Sequence, residues 1–178
     1  MMNSKLDIYA LAEQLGQDLQ RSGRKLAVAE SCTGGLLAGA VTAVPGSSAW
    51  FERGYVTYSN AAKREDLGVS EAALAEYGAV SEPVALEMAS GMFLACAEAD
   101  VAVSVTGIAG PDGGTAGKPV GLVCFGFATR AGGGITSQAA THIFEGDRAQ
   151  IRMQAVAFAL QGVLQAAGTH STDVRTAA

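Results

Sequence analysis

The stretch from Leu26 to Leu37 places the strongest constraint on how this chain folds. Its letters, LAVAESCTGGLL, are typical of a short apolar strand, a sharp turn with two glycines and then a helix. We expect Thr33 to cap that helix, so Ser31 lies where a strand ends and a helix begins. Backbone N–H groups and the positive end of a helix favour a developing anion at such a place. The stretch predicts either a seat for a nucleophilic serine or an ordinary capped turn without chemistry.

The amino-acid composition excludes several classes of protein. Of the 178 residues, 49% are hydrophobic and 16% are charged, which is typical of a globular chain with a real core. The formal net charge is -5 and no long basic stripe is present, so nucleic-acid binding is not expected. No apolar run reaches membrane length and no signal sequence opens the chain, which predicts a cytoplasmic protein without a membrane partner.

The few cysteines and histidines narrow the chemistry further. The three cysteines form no C-x-x-C pair, which favours reduced thiols. The two histidines, His142 and His170, lie far apart in the sequence. Two distant histidines are too few to favour a histidine-based metal site or a Ser-His-Asp triad. A serine nucleophile would therefore need another base.

The order of the predicted elements indicates an α/β fold. Helical and strand patterns alternate early in the chain, and two adjacent strands follow before a last helix. We predict one domain over residues 1–168, a three-layer α/β/α sandwich with a mixed, mostly parallel sheet, and a disordered tail at 169–178. Glycine-rich turns follow two of the strands, at Ser31–Gly35 and at Thr106–Gly114. If those strands are parallel neighbours, both turns face one pocket.

Lys63 is the candidate base that could activate Ser31. Lysine is the next base known to partner serine where histidine is scarce. Lys63 follows a strand end and falls in the first turn of a predicted helix, where the helix dipole lowers its pKa. Tyr58, slightly earlier, could relay a proton or orient the lysine. The alternatives are a solvated surface lysine and a half-buried strand tyrosine.

A second glycine-rich loop offers a place for a phosphate. Its five glycines between positions 107 and 117 present N–H groups that could hold an anion. The loop is neither a Walker A loop nor a G-x-G-x-x-G loop. Arg148 starts the last helix, where it opposes the dipole unless an anion is near. A plain surface loop and an arginine with its head in water are the alternatives.

Two other arrangements near Ser31 stay open. Cys32 could be the nucleophile instead, although its side chain is expected on the other side of the strand end and small cysteines usually serve packing. Glu30 and Asp112 could form a carboxylate or metal site, which would make the chain a metal-dependent hydrolase.

Four motifs closely resemble the CinA C-terminal domain family. They are AESCTGG at 29–35, PGSSAWF at 45–51, GYVTYSN at 54–60 and GIAGPDGG at 107–114, the last followed by KPVG at 118–121. The resemblance extends from about Leu6 to Gln165, which is nearly the whole chain. The chain lacks room for the N-terminal domain of longer family members, so it looks like a standalone member.

The resemblance implies a function. Standalone members are amidohydrolases that convert nicotinamide mononucleotide to nicotinic acid mononucleotide and ammonia, in pyridine nucleotide recycling, by a serine–lysine mechanism. No metal or other cofactor is implied, and the expected partner is the small-molecule substrate alone. A homo-oligomer stays open. The alternative function is that of a nucleotide-binding, competence- or damage-inducible regulatory module without turnover.

The resemblance also carries roles onto individual residues. It implies Ser31 as the nucleophile, Lys63 as the base and Tyr58 as an assistant to the base. The predicted substrate-binding residues are Glu30, Cys32, Thr33, Gly34, Gly35, Ser48, Asn60, Thr106, Gly107, Ala109, Gly110 and Arg148.

Overall fold

Residues 7–168, which a computed structural model describes, form a five-stranded sheet with helices on both faces. The tail predicted at 169–178 lies outside the described residues. The helices are α1 (Ile8–Ser22), α2 (Leu36–Thr42), α3 (Asn60–Leu67), α4 (Glu71–Tyr77), α5 (Glu82–Ala95) and α6 (Arg148–Gly168). The strands are β1 (Leu26–Glu30), β2 (Phe51–Val56), β3 (Val101–Gly107), β4 (Leu122–Ala131) and β5 (Gly134–Ile143).

The sheet has the strand order β2-β1-β3-β4-β5. β1 pairs in parallel with β2 and with β3, whereas β4 is antiparallel to both β3 and β5. Four of these five strands therefore share one direction, which confirms the predicted mixed, mostly parallel sheet. Because β1 and β3 are parallel neighbours, the two glycine-rich turns that follow them lie at the same end of the sheet.

Alternate residues of β1 show why helices cover both faces of the sheet. Leu26 and Val28 belong to a core shared with α1, α2 and α6, whereas Ala27 and Ala29 belong to a second core formed with α5. All five residues of β1 are buried, since a central parallel strand has no solvent face. The three layers that result confirm the predicted α/β/α sandwich.

The helices begin where the sequence signals them, with α2 as an exception. Side chains of Asp7, Ser59, Ser70 and Ser81 accept hydrogen bonds from the first turns of α1, α3, α4 and α5. The N-cap of α2 is instead Gly35, whose φ of 99° is in the left-handed region. The cap predicted from Thr33 is wrong, because the carboxylate of the preceding strand residue takes those N–H groups.

The longest helix, α6, has 21 residues and packs one face on the sheet through residues such as Ile151 and Leu160. It begins with Arg148. Two arginines near the start of this helix contact the two glycine-rich turns. Within residues 7–168, no helix combines the length and the apolar character that crossing a bilayer requires.

Candidate active site

Ser31 is the residue immediately after β1, at the carboxyl end of the parallel strands. Its backbone N–H donates to Val105 O of β3 at 2.9 Å. On the other side, Thr57 N donates to Glu30 O at 2.9 Å. The strand ladder therefore continues up to the serine on both sides and fixes its backbone. The serine is 9% exposed, so its hydroxyl is largely shielded from solvent.

The side chain of Lys63 reaches Ser31 from α3. Its Nζ lies 3.0 Å from Ser31 Oγ and donates to Thr57 O at 2.8 Å. Lys63 is 1% exposed, so the alternative of a solvated surface lysine is wrong. Burial lowers the pKa of Lys63, because a low-dielectric environment disfavours the ammonium form. The amine therefore has both the position and the protonation behaviour of a general base for Ser31.

Thr57 is a member of this site that the sequence analysis did not identify. It orients the amine of Lys63 through its carbonyl, not through its side chain. Any residue type supplies a carbonyl, so the sequence carries no direct signal for this contact. The Thr57 hydroxyl is itself buried and has no hydrogen-bond partner among residues 7–168.

Cys32 packs in the core between the sheet and α1, α2 and α6. Its side chain is 6% exposed. Burial raises the pKa of the Cys32 thiol to about 11. A thiol that keeps its proton at neutral pH is a poor nucleophile, so the geometry favours Ser31 over Cys32.

Glu30 anchors α2 inside the fold. The side chain is fully buried, and its carboxylate oxygens accept N–H hydrogen bonds from Gly35 at 3.0 Å, Leu37 at 3.0 Å and Ala38 at 2.8 Å. The predicted substrate contact of Glu30 is therefore wrong, because its carboxylate is already used. Asp112 lies in an exposed loop, and the described part of the chain contains no carboxylate, cysteine or histidine cluster that could hold a metal ion.

The backbone N–H groups in the turn after Ser31 differ in their partners. Gly34 N donates to Ser31 O at 3.1 Å, and Gly35 N donates to the buried carboxylate at 3.0 Å. These two glycines therefore shape the turn and have no N–H left for a substrate. The N–H groups of Cys32 and Thr33 donate to no other residue between 7 and 168, but Thr33 is 0% exposed whereas Cys32 is 6% exposed. Of the two, the Cys32 N–H is therefore the candidate donor to a developing oxyanion.

The second glycine-rich loop lies at the same end of the sheet. Thr106 is 1% exposed and donates its hydroxyl to Ala79 O at 2.8 Å, while Ala109 is 4% exposed. A side chain at Gly107 would lie 2.8 Å from Leu122 O of β4. The side-chain positions of these three predicted substrate-binding residues therefore face the interior of the fold, where they serve packing. The loop is exposed from 111 to 117, where its backbone is accessible.

Tyr58, Arg148 and Gly110 connect three segments around the site. Arg148 Nη1 donates to Gly110 O at 2.7 Å, and Nη2 donates to Tyr58 Oη at 3.2 Å. Tyr58 is 61% exposed, which excludes the alternative of a half-buried strand tyrosine. Among residues 7–168, its hydroxyl makes no hydrogen bond to Lys63 or Ser31, so the geometry links it to Arg148 and not to the base.

The structure bears differently on two other predicted substrate-binding residues, Ser48 and Asn60. Ser48 lies in a short 3-10 helix, Ser47–Ala49, just before β2. Leu26 at the start of β1 donates to Trp50 O there, so Ser48 is at the amino ends of these strands, opposite Ser31. The prediction for Ser48 is wrong. Asn60 is exposed at the first position of α3, three residues before the base, and its role stays a prediction.

Arg152 is a second residue that the sequence analysis did not identify. Its Nε donates to Cys32 O at 3.0 Å and its Nη2 donates to Thr33 O at 2.9 Å. A signal was present, because Arg148 and Arg152 are four residues apart and lie on the same face of α6. Two arginines lie one helical turn apart, and both are directed at one end of the sheet. This spacing indicates that side chains of α6 hold two loops there.

The fold and site together define an α/β protein in which a serine hydroxyl contacts a buried lysine. The chain belongs to the CinA C-terminal domain family, whose model matches residues 8–167, and this confirms the resemblance seen in the motifs. It is 55% identical over 159 residues to the nicotinamide-nucleotide amidohydrolase PncC of Escherichia coli (strain K12), covering 89% of this chain and 94% of that protein.

Two further comparisons show how this domain occurs elsewhere. A CinA-like protein of Chloroherpeton thalassium is 56% identical over 141 residues, covering 78% of this chain but 33% of that longer protein. The crystal structure of the competence/damage inducible protein CihA from Agrobacterium tumefaciens matches with a TM-score of 0.83 at 45% identity. That match covers 91% of this chain and 96% of the solved chain.

Proposed function

We propose that this chain is an amidohydrolase that converts nicotinamide mononucleotide to nicotinic acid mononucleotide and ammonia in pyridine nucleotide recycling. The observation that carries the reaction class is the 3.0 Å contact between Lys63 Nζ and Ser31 Oγ. The substrate rests on the similarity to amidohydrolases named PncC in Escherichia coli and Pseudomonas putida.

The burial of Lys63 supports a chemical role, because burial costs free energy that a surface lysine avoids. A charged amine away from water is unfavourable unless a carboxylate neutralises it. None of the salt bridges within the described residues involves Lys63. Packing alone would be served as well by methionine, so the amine itself is the useful group.

In the first half-reaction, neutral Lys63 accepts the hydroxyl proton of Ser31 while Oγ attacks the carboxamide carbon. The N–H group of Cys32 binds the negatively charged oxygen of the tetrahedral intermediate. The carbon–nitrogen bond then breaks, and Lys63 returns the proton to the departing nitrogen, which leaves as ammonia. The enzyme is left as an ester between Ser31 and the pyridine carboxyl group.

In the second half-reaction, a water molecule replaces ammonia. Lys63 accepts a proton from this water as its oxygen attacks the ester carbon. The same N–H group binds the oxyanion, the bond to Ser31 Oγ breaks, and the proton returns to that oxygen. Nicotinic acid mononucleotide leaves with its new carboxylate, and the serine hydroxyl is restored.

Arg148 and the loop at 107–114 are the proposed binding groups for the phosphate of the nucleotide. Arginine presents planar paired donors that match a phosphate, and loop N–H groups add neutral donors. Arg148 already spans Gly110 O and Tyr58 Oη, which holds the guanidinium between the loop and the segment that follows β2. Tyr58 is therefore assigned to the support of Arg148.

The experiment that tests this function is ammonia release from nicotinamide mononucleotide, measured with and without EDTA. We expect ammonia and nicotinic acid mononucleotide in equal amounts and no effect of the chelator. Nicotinamide riboside, which lacks the phosphate, serves as the matched substrate. Its kcat/KM should fall at least about tenfold, since a hydrogen bond to a charged group contributes about 1.5–3 kcal/mol.

Two outcomes would contradict this proposal. Tight binding of nicotinamide mononucleotide in calorimetry without any ammonia release would favour the alternative of a nucleotide-binding regulatory module. Loss of activity with EDTA, and its return on addition of a divalent cation, would favour metal-dependent hydrolysis. Equal kcat/KM for nucleotide and riboside would leave the reaction in place and remove the phosphate site.

A further inference from the structure

Lys118 joins the second glycine-rich loop to residues 77–81, the connection between α4 and α5. Its Nζ donates to Tyr77 O at 2.5 Å and to Val80 O at 2.7 Å. The side chain is partly buried, and none of the salt bridges among the described residues includes it. Two backbone carbonyls of the α4–α5 connection are therefore the partners of this ammonium.

Thr106 holds the same connection from the end of β3. Its hydroxyl donates to Ala79 O at 2.8 Å. The last pair in the parallel register of β1 and β3 directly precedes Ser31 and Thr106, so these two residues lie side by side. The α4–α5 connection is therefore attached to the sheet one strand away from Ser31.

Both side chains face the side of the sheet that α5 covers. Two positions before Thr106, Ser104 donates to Ala85 O of α5 at 2.6 Å, and side chains two apart on a strand share a face. Ser31 Oγ contacts Lys63 of α3, a helix that packs in the same core as α5. The nucleophile and the α4–α5 connection therefore lie on one face of the sheet.

Ser31 is flanked on both sides of β1. On the β2 side, the amine of Lys63 donates to Thr57 O. On the β3 side, the α4–α5 connection is held at Thr106. Residues 78–81 are only partly buried, so part of this segment stays accessible next to the nucleophile. A substrate whose reacting carbon lies at Ser31 therefore has the α4–α5 connection as its neighbour.

We propose that Lys118 is a positioning residue that holds the α4–α5 connection as the binding wall for the pyridine carboxamide of the substrate. The inference rests on the proposed function, in which the carboxamide carbon lies at Ser31 Oγ. Lys118 acts through the segment, since both of its contacts are backbone carbonyls. Without its ammonium, the connection loses two of the three carbonyl contacts described above, and the substrate has to order the wall when it binds.

The test needs a variant that separates positioning from stability. Lys118→Met keeps the apolar part of the side chain and removes both hydrogen bonds. The matched control is Arg130→Met, because Arg130 also holds two carbonyls at the end of a helix, Ala97 O at 2.8 Å and Phe93 O at 2.9 Å. Arg130 N donates to Asp100 O just before β3, at the end of the sheet opposite Ser31. Thermal unfolding of both variants compares their structural cost.

The main readout is KM for nicotinamide mononucleotide and for nicotinamide riboside, because KM does not depend on the fraction of protein that is folded. We expect Lys118→Met to raise both values by the same factor, about 3- to 10-fold, since ordering groups on binding costs affinity of this size. Arg130→Met should leave both within twofold of wild type. If riboside turnover is too slow, its inhibition constant against the nucleotide replaces its KM.

The labelling rate of Ser31 by a fluorophosphonate is the second readout. In this step Oγ bonds to phosphorus, fluoride leaves, and Lys63 takes the hydroxyl proton. The proposal expects labelling within twofold of wild type in Lys118→Met, because the serine and its base stay in place. A large loss of labelling would overturn it, since the variant would then have moved the nucleophile itself.

Two KM patterns would also overturn the proposal. A rise for the nucleotide alone would show that Lys118 binds the phosphate directly. Equal KM values in Lys118→Met and Arg130→Met would show that the contacts serve stability only. Thr106→Val removes the third carbonyl contact while keeping the shape of the side chain, and it should raise both KM values alike. If Lys118→Met does not fold, Thr106→Val decides by the same comparison of nucleotide with riboside.

These readouts separate this inference from the proposed function. If wild type releases no ammonia from nicotinamide mononucleotide, the proposed function fails and the inference about Lys118 falls with it. If wild type releases ammonia but Lys118→Met behaves as Arg130→Met does, only the inference about Lys118 fails, and the proposed function stands.

Discussion

The two glycine-rich segments at the active end of the sheet look alike in sequence and differ in structure. In the turn at 31–35, two carbonyls are held by Arg152 and two N–H groups by acceptors within the fold. The loop at 107–121 is held mainly near its ends, where Ile108 and Gly121 pair with their neighbours and Lys118 Nζ donates to Val80 O at 2.7 Å. Between them, residues 111–117 are exposed.

The glycines therefore have different roles in the two segments. In the turn, Gly34 and Gly35 have φ values of 58° and 99°, so they permit a conformation that other residues rarely adopt. The result is a fixed backbone turn beside Ser31. In the loop, Gly113 also has a positive φ, of 92°, but residues 111–117 are exposed and their backbone is accessible to a ligand. Changes in the turn should therefore act on kcat, and changes in the loop on KM.

Replacing the nucleophile should produce the largest effect. We expect Ser31→Ala to lower kcat for ammonia release by about 10³-fold or more, because a covalent step is lost. Calorimetry should still detect binding of nicotinamide mononucleotide, since the binding loop is untouched. Cys32→Ala is the control and should keep most of the activity. An inactive Cys32→Ala together with an active Ser31→Ala would reverse the assignment.

Replacing the base should come next. We expect Lys63→Arg and Lys63→Met each to lower kcat by about 10²–10⁴-fold, because arginine stays protonated and methionine has no amine. Wild-type activity should rise with pH above neutral as the amine of Lys63, whose pKa burial lowers, loses its proton. Near-normal turnover in Lys63→Arg would show that only positive charge is required.

The same lysine predicts a pH effect on stability. Between the lowered pKa of Lys63 and the ordinary value of 10.5, the unfolded chain carries a proton that the folded chain lacks. Unfolding free energy from this group therefore rises with pH across that window. Urea unfolding at two pH values should show a smaller rise in Lys63→Met. An identical pH slope in both proteins would exclude a neutral buried amine.

Replacing Arg148 should have an intermediate effect. We expect this effect on KM, as for changes in the loop at 107–121. We expect Arg148→Met to raise KM for nicotinamide mononucleotide about 10- to 100-fold and to change kcat only a few-fold. Arg64→Met is the control, because Arg64 is exposed and pairs with Glu71 at 3.2 Å. The Arg148→Met variant should also lose its preference for nucleotide over riboside. A fall in kcat without a rise in KM would show that Arg148 acts as the residues of the turn at 31–35 do, and not in substrate binding.

The smallest effect is expected from alanine in the exposed loop. A side chain at Gly117 would meet nothing within 4 Å, so Gly117→Ala should change KM and kcat less than about twofold. Gly34→Ala is the matched change in the turn, where φ is 58° and Arg152 Nη2 would lie 3.3 Å from the new Cβ. We expect at least a tenfold loss of kcat there. Equal effects in the two variants would remove the distinction between the segments.

Much of this architecture followed from the sequence because it rests on periodicity and residue type. Alternating patterns predicted the elements and layers, and the glycine turns after β1 and β3 predicted which end of the sheet matters. Ser31 was a candidate because a strand ends and a helix begins there, and Lys63 because it follows a strand end in a chain with two histidines; the family resemblance implied their roles. Their contact itself depends on the tertiary fold and was only an expectation.

The errors have a common physical origin. Glu30 was assigned to substrate because a sequence does not show that a carboxylate turns inward to bind the start of α2. Ser48 was assigned because its motif resembles the family, although its place before β2 puts it at the other end of the strands. Thr57 was missed because it contacts Lys63 through its backbone carbonyl, which every residue has. Arg152 was missed although its spacing from Arg148 was a signal, because its partners are backbone carbonyls of other residues.

The burial of Cys32 has a consequence for the chemical durability of the site. Its thiol lies next to the proposed nucleophile, yet burial raises its pKa to about 11 and packing leaves it 6% exposed. Oxidants and alkylating agents attack the exposed thiolate, which this residue does not offer. Hydrogen peroxide or iodoacetamide should therefore leave ammonia release intact. If Ser31 is the nucleophile, activity should survive oxidative conditions that inactivate enzymes with a cysteine nucleophile.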